Sequence, residues 1–347
     1  MRGVQMSDWN KQQRFQAILA GELADRPIVS AWKHFIDQEQ SAKALAGATL
    51  NFQQRYDWDF VKINPRATYY QEIWGNTYNY ALYESVLPKL TEYVVHGPSD
   101  LERIREQARN VGPILEQLEA TRLIRNALGS ETPIIQTLFS PLTVLALLAG
   151  HNPYPGYVAH PERSASSLHA LIAQNPDGVH AALKEIAVTL AEYVTELAGA
   201  GADGIFYSIM GLGNEESFSR SDYESYGRPY DLIVLEALGD KASILHTCGP
   251  TSNPDRFADY PVSAIHWADR AKGNPSLQAS TNWIGKKTVV GGVSEHLFGT
   301  DQSEQVHAEA VDAIQSLRER SFILAPGCGV PLETSDATLR ALKAAIG

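Results

Sequence analysis

The chain has 347 residues, of which 44% are hydrophobic and 20% are charged, a composition typical of a globular enzyme. Its formal net charge of −11 argues against a nucleic-acid partner and a highly anionic substrate, because phosphate groups are bound by clustered Lys and Arg. No apolar run reaches the length of a membrane-spanning helix, and residues 1–14 are too polar for a signal peptide. We therefore expect a cytoplasmic protein without a membrane partner.

The chain begins with a predicted helix over residues 9–20, where apolar residues recur at helical spacing after a cap at Ser7 or Asp8. Residues 1–26 are thereby predicted to form an N-terminal helical extension. The same spacing predicts further helices at 101–108, 114–128, 179–198, 230–238, 255–258 and 304–318.

Short apolar runs bounded by turn residues alternate with these helices, as is typical of buried parallel strands. The pattern predicts an α/β fold, a (β/α)8 TIM barrel, in one domain of residues 1–347. A doubly wound open sheet would have fewer strands and a Gly-rich phosphate turn, which does not follow the first strand. The aromatic segment 64–97 is expected to be a long connection after strand two and a candidate cover for the barrel mouth. The eight strands are predicted at 28–31, 60–63, 134–138, 204–207, 242–245, 263–265, 288–291 and 322–325.

Polar side chains follow the predicted strands, at the positions where a barrel of this kind builds its active site. We expect them to lie around one rim of the barrel. They include Lys33, His34, Asn64, Ser208, His246, Cys248, His266, Asp269, Glu295 and Cys328.

Both cysteines of the chain, Cys248 and Cys328, belong to this set, and His246 lies two positions before the first. Alternate residues of an extended segment project to one side, so His246 and Cys248 can bind one ion while Cys328 arrives from strand eight. Two thiolates and an imidazole suit zinc, and three protein ligands leave the fourth position open. The other interpretation is two small buried thiols beside a core histidine.

The ligand set also predicts a class of reaction. Two thiolates cancel the charge of Zn²⁺, so the ion is a poor Lewis acid for water but can bind an incoming thiol as a nucleophilic thiolate. Catalytic zinc sites for hydrolysis more commonly use His or carboxylate ligands. The sequence therefore favours alkyl transfer to a thiol over hydrolysis.

The chain resembles the uroporphyrinogen decarboxylase superfamily, and within it the zinc-dependent methylcobalamin:thiol methyltransferases, of which the coenzyme M type is best known. The resemblance spans nearly the whole chain. It lies in ILHTCG (244–249), in ILAPGCGVP (323–331) followed by ET (333–334), and in DWDFVK (57–62) before NP (64–65).

The resemblance implies that His246, Cys248 and Cys328 are zinc ligands, with Asp269 at the position of a fourth. The other interpretation of Asp269 is an ordinary surface or capping residue. His266 and Glu295 are the other candidates for the fourth ligand. The implied function is methyl transfer from a corrinoid donor to a thiol acceptor held as a zinc thiolate. The chain has no corrinoid-binding D-x-H-x-x-G motif, so the donor is expected on a partner corrinoid protein or as free methylcobalamin.

The main alternative is a metal-free decarboxylase of a tetrapyrrole or another polycarboxylate. True uroporphyrinogen decarboxylases have an arginine-rich loop after strand one and an Asp after strand two. This chain has Lys33 and His34 in the first place and Asn64 near the second. These three residues, with Ser208, His266 and Glu295, are predicted to contact substrate, although Lys33 and His34 also read as solvated loop residues. A non-catalytic tetrapyrrole carrier is a third interpretation.

Overall fold

The computed structural model describes residues 9–105, 111–153 and 165–347. Each of the eight predicted strands is confirmed and lies in one parallel sheet, while two further strands form a separate antiparallel hairpin. The strands are β1 (Ile28–Val29), β2 (Val61–Ile63), β3 (Thr77–Glu84), β4 (Leu87–Glu92), β5 (Ile134–Phe139), β6 (Gly204–Met210), β7 (Ala242–Thr247), β8 (Ala264–Trp267), β9 (Thr288–Val293) and β10 (Phe322–Pro326).

The parallel sheet curls into a barrel with the hydrogen-bonded order β1-β10-β9-β8-β7-β6-β5-β2. Its two outer strands, β1 and β2, meet at a seam. Across the seam, the Asp59 amide donates to the Val29 carbonyl at 3.0 Å, and the Val29 amide donates to Asp59 Oδ2 at 2.8 Å. Ser30 Oγ donates to the Phe60 carbonyl at 2.9 Å. These contacts complete the predicted (β/α)8 TIM barrel.

The helices surround this sheet, and five of the predicted ones are confirmed as α1, α4, α7, α9 and α10. None of the helices in the described part of the chain combines the length and the apolar character that a membrane span requires. The helices are α1 (Lys11–Leu19), α2 (Ala42–Tyr56), α3 (Tyr69–Glu72), α4 (Gly112–Leu128), α5 (Pro141–Leu148), α6 (Ala165–Gln174), α7 (Pro176–Gly199), α8 (Arg220–Tyr226), α9 (Arg228–Ala237), α10 (Ser303–Ser316) and α11 (Asp336–Ala344).

Two other predicted helices are short 3₁₀ turns, at Pro98–Arg103 and Pro254–Phe257. In each, a proline at the start favours the first turn, and the extended backbone of Ile104 ends the earlier one. The last three residues of the helix predicted at 101–108 lie outside the described residues. Helices α2, α3, α5, α6, α8 and α11 were not predicted.

Helix α1 lies at the amino-terminal end of the barrel strands. It begins after Asn10, whose side chain accepts from the Gln13 amide at 2.8 Å while Gln13 Oε1 accepts from the Asn10 amide at 2.9 Å. The predicted caps, Ser7 and Asp8, lie outside the described residues, and this reciprocal capping box replaces them. Phe15 packs on Phe60 of the barrel interior, with ring centroids 5.5 Å apart. The helical extension therefore closes one end of the barrel, and the other end remains for the site.

The connection between β2 and β5 contains α3 and the β3-β4 hairpin. Tyr69 and Tyr70 of α3 are buried, and Tyr70 donates to the Thr137 carbonyl at 2.7 Å. The aromatic residues of α3 therefore pack against β5, whereas in β3 Tyr78 and Tyr83 are partly buried and Tyr80 is exposed. That the connection covers the barrel mouth stays a prediction, as does a single domain over residues 1–347.

Asp59 is the residue on which the seam depends. Its buried carboxylate binds Arg26 through both oxygens at 2.8 Å and also accepts from Val29. Burial raises the pKa of Asp59, but the hydrogen bond and charge of Arg26, with the charge of Lys343, bring it below its usual value. We expect Asp59→Asn to lower the free energy of unfolding by about 2–4 kcal/mol, measured by urea denaturation at pH 7.

The control for this prediction is Asp25→Asn, which breaks the exposed pair with Arg14 and is expected to cost under about 1 kcal/mol. Because the folded pKa of Asp59 lies below its unfolded value, its contribution is present above about pH 4. It is lost as the pH falls through the folded pKa, so the difference from Asp59→Asn must shrink in acid. Equal losses in the two variants at pH 7 would contradict a special role for the seam.

Candidate metal centre

Three predicted site residues meet at the carboxyl end of the barrel strands. His246 lies in β7, Cys248 follows that strand directly, and Cys328 lies two residues beyond β10. Because β7 and β10 run in the same direction, their carboxyl ends reach the same rim. His246 and Cys248 are buried, and Cys328 is partly buried.

The ligand atoms of these residues form a compact group in which all lie within 4.8 Å of one another. The two sulfur atoms are 3.7 Å apart, and Cys328 Sγ lies 3.8 Å from His246 Nε2. A disulfide bond would require about 2.05 Å between the sulfurs. In a tetrahedral zinc site the sulfurs lie about 3.8 Å apart and about 3.6 Å from the nitrogen, given Zn–S bonds of about 2.3 Å. Two of the three distances therefore match those of a tetrahedral zinc site, and the third is at most 4.8 Å.

The position of Cys248 depends on an unusual backbone conformation in β6. Met210 is buried and has φ 55° and ψ −146°, a region that residues with a side chain rarely adopt. The pairing of β6 with β7 shifts register between Ser208 and Met210. The Met210 carbonyl then accepts the Cys248 amide at 3.3 Å. This irregularity holds the first residue after β7 at the rim.

The protonation of the three groups suits metal binding. Burial lowers the pKa of His246 far below its usual value, and the charges of His266 and Lys62 lower it further. The imidazole is therefore neutral, with a lone pair to donate. The contact between the two sulfurs lowers the pKa of Cys328 and raises that of Cys248. Of the two thiols, Cys328 is therefore the one whose ionised form is favoured.

His266, in β8, lies beside this group but does not belong to it within the described residues. Its ring stacks on that of His246, with centroids 4.6 Å apart. Its Nε2 lies 2.9 Å from the Pro326 carbonyl and donates to it, and burial lowers its pKa to about 3. His266 therefore supports the ring of His246 as a neutral, fixed neighbour.

The two carboxylates predicted for the rim occupy different surroundings. Asp269 Oδ1 accepts from the Gly292 amide at 2.8 Å, and Arg270 lies 3.5 Å from the other oxygen. Burial raises the pKa of Asp269 to about 6. The structure places it outside the group of three. The charge of Glu295, in contrast, raises the pKa of both cysteine thiols, so its carboxylate lies within electrostatic reach of the sulfurs.

The remaining predicted residues follow β1, β2 and β6. Lys33 is half-buried and donates to the Leu332 carbonyl, and burial lowers its pKa. His34 Nδ1 lies 3.0 Å from Glu39 Oε2. Ser208 is buried, and its Cα pairs with that of His246. These contacts anchor the rim, and contact with a substrate stays a prediction for each residue.

Sequence reasoning missed Lys62, which lies in β2 with only 7% of its surface exposed. Its ammonium donates to Asn64 Oδ1 at 2.5 Å. It lies 4.4 Å from the ring centroid of Phe206 and 5.2 Å from that of Trp32. The available signal was a lysine within a strand that is otherwise apolar, since a buried lysine needs a specific reason.

Known structures and curated proteins resemble this chain over most of its length. A methyltransferase from Methanosarcina mazei superposes with a TM-score of 0.81 and 21% identity over 97% of this chain and 98% of that one. A B12-independent methionine synthase from Shewanella has a TM-score of 0.54 and 14% identity, over 88% of this chain and 85% of that one. These likenesses establish the barrel fold.

Two curated relatives have different names. Methylcobamide:CoM methyltransferase MtbA from Methanosarcina acetivorans is 23% identical over 73% of this chain and 69% of its own length. A uroporphyrinogen decarboxylase from Prochlorococcus marinus is 25% identical over 67% of this chain and 65% of its own length. The family model for uroporphyrinogen decarboxylase (URO-D) matches residues 11–347. The chain therefore belongs to the uroporphyrinogen decarboxylase family of enzymes.

Proposed function

We propose that this protein is a zinc-dependent methyltransferase that moves a methyl group from a corrinoid donor to a thiol acceptor. The observation that carries the proposal is the group of two sulfurs and one imidazole nitrogen at the rim, in which the two sulfurs are 3.7 Å apart and Cys328 Sγ lies 3.8 Å from His246 Nε2, as in a zinc tetrahedron. His246, Cys248 and Cys328 are the proposed ligands. Asp269 and Glu295 are the candidates for a carboxylate that occupies the fourth position until the acceptor thiol replaces it.

The residues present fit zinc in number and chemistry. His246 is buried and neutral, and its Nε2 faces the sulfur of Cys328. Three protein ligands leave a fourth position for an exchangeable group, as in catalytic zinc sites. A bound zinc ion would supply one chemical property, the stabilisation of the acceptor thiol as a thiolate at neutral pH. Because two ligand thiolates cancel the charge of the ion, activation of water for hydrolysis is disfavoured.

The protein's own contribution is positioning and exclusion of water. His266 stacks on His246 and fixes the orientation of its ring. Met210 holds Cys248 through the main chain, and Gly327 leaves the space in which Glu295 reaches the rim. A Cβ at Gly327 would lie 2.7 Å from Glu295 Oε2. The burial of these groups removes competing water from the place where a thiolate would attack.

The donor and acceptor are proposed from the relatives and from the chemistry of the site. The name of the Methanosarcina relative specifies a methylcobamide donor and the thiol coenzyme M. We propose a corrinoid protein or free methylcobalamin as donor and a small thiol as acceptor here. The Prochlorococcus relative favours decarboxylation as a second candidate. For that reaction, Lys33 and His34 would have to replace the arginines that hold a polycarboxylate.

The metal can be tested directly. We expect the purified protein to bind about one zinc per chain, and Cys248→Ser and Cys328→Ser to bind well under about 0.5, measured by plasma mass spectrometry after dialysis. The reason is that each substitution removes one of three ligands. Thr247→Ser is the matched control, because Thr247 lies between His246 and Cys248 in the sequence and its hydroxyl donates to Ser252 at 2.9 Å. Zinc retained at the wild-type level in both cysteine variants would reject the site.

The reaction can be tested with methylcobalamin and a panel of thiols, following the change in corrinoid absorbance as the methyl group is lost. We expect demethylation that requires both zinc and a thiol, stops after zinc is removed by a chelator, and returns when zinc is restored. Cys328→Ser is expected to reduce the rate to that without enzyme. Release of CO₂ from a porphyrinogen by the metal-free protein, without methyl transfer, would support the second candidate instead.

A further inference from the structure

Lys62 is a lysine buried in the barrel interior. Its side chain enters the barrel from β2, where its contacts are Asn64 Oδ1 and the faces of Phe206 and Trp32. Within the described residues, no carboxylate forms an ion pair with it. Burying an unpaired ammonium is unfavourable, and an amide oxygen with two aromatic faces offsets only part of the loss. A structural role alone therefore gives a poor account of a lysine here.

The charged group that favours the ammonium of Lys62 belongs to the candidate metal centre. Burial lowers the pKa of Lys62 to about 7, and the Cys328 sulfur acts in the opposite direction. The positive charge of Lys62 in turn lowers the pKa of Cys328 and of His246. The geometry agrees, because Lys62 Nζ lies 4.4 Å from the ring centroid of Phe206, and the Phe206 ring packs on that of His246 with centroids 5.2 Å apart. Lys62 thus lies beside the proposed ligands, on the barrel side of the rim.

The charge balance of the proposed reaction gives a functional reason for the positive charge of Lys62. Zinc with two ligand thiolates is neutral, and a third thiolate at the fourth position leaves one negative charge in a buried place. We propose that Lys62 is a positioning residue that stabilises the acceptor thiolate through its positive charge. This inference rests on the proposed function and extends it, because it names the group that makes a third thiolate acceptable.

The proposal predicts that Lys62 affects the affinity for the acceptor thiol much more than the affinity for zinc. Lys62 repels Zn²⁺ but attracts the two ligand thiolates, so its net effect on the neutral centre is small. Lys62 also attracts the third thiolate, and no further cation binds with that thiolate to offset the attraction. Replacing Lys62 by Met, which keeps the unbranched apolar stem, should therefore leave zinc affinity within a few fold and weaken thiol binding about tenfold or more. Lys62→Arg should retain most of the thiol affinity.

The experiment uses the zinc-loaded full chain and titrates it with an uncharged thiol, 2-mercaptoethanol, and an anionic one, 3-mercaptopropionate, by calorimetry at one fixed pH. Zinc affinity is measured separately by chelator competition. Lys343→Met is the control, because Lys343 is half-buried and donates to the Asp57 carbonyl, away from the metal centre. We expect Lys62→Met to weaken both thiols by the same factor and Lys343→Met to weaken neither.

Each other result has a defined meaning. Unchanged thiol binding in Lys62→Met, or loss of zinc from that variant, overturns the inference. Weaker binding of the anionic thiol alone also overturns it, because Lys62 would then bind the tail of the acceptor and not its sulfur. Failure of the zinc-loaded wild type to bind any thiol would reject the proposed function itself. The two failures are therefore distinguishable.

Discussion

The common direction of the eight barrel strands is the constraint on which the rest of the structure depends. His246 and Cys328 are 82 residues apart in sequence, yet their ligand atoms lie 3.8 Å apart because β7 and β10 both end at one rim. The sheet also closes, because the carboxylate of Asp59 connects the two outer strands at the seam. The opposite end of the barrel is filled by α1. Because α1 closes the amino-terminal end of the barrel, the carboxyl-terminal end is left for the candidate site.

Much of the fold follows from the sequence because buried parallel strands are short apolar runs, and all eight runs are barrel strands. The sequence analysis missed other elements. Helices α2 and α11 were not predicted although serines cap both, and the β3-β4 hairpin has aromatic residues that resemble those of a packed loop. The cap of α1 was placed too early, because Ser7 and Asp8 carry the same capping signal as Asn10. Hydrogen bonding between side chain and backbone decides that boundary, and composition does not reveal it.

In the candidate site, too, some residues can be found from their spacing in the sequence, whereas others are identified only by their packing in the folded barrel. The alternation of an extended strand brings His246 and Cys248 to one side, and the barrel supplies Cys328, so all three were within reach of sequence reasoning. Lys62 was not, because a strand pattern reports only that a residue is buried. Its position between Phe206, Trp32 and the metal centre depends on three strands together. Likewise, the Gly292 amide that binds Asp269 comes from a strand 23 residues away.

The family relationship and the rim residues carry different kinds of information. Relatives named as a methyltransferase and as a decarboxylase share this family, so the barrel alone does not select a reaction. The charge at the rim does discriminate. A polycarboxylate requires several fixed cations, whereas this rim has two sulfurs, a neutral imidazole and the carboxylate of Glu295. Lys62, a buried lysine whose charge acts on the Cys328 sulfur, matches the single negative charge that a bound thiolate would add. Charge balance therefore supports the proposed thiol acceptor over a polycarboxylate.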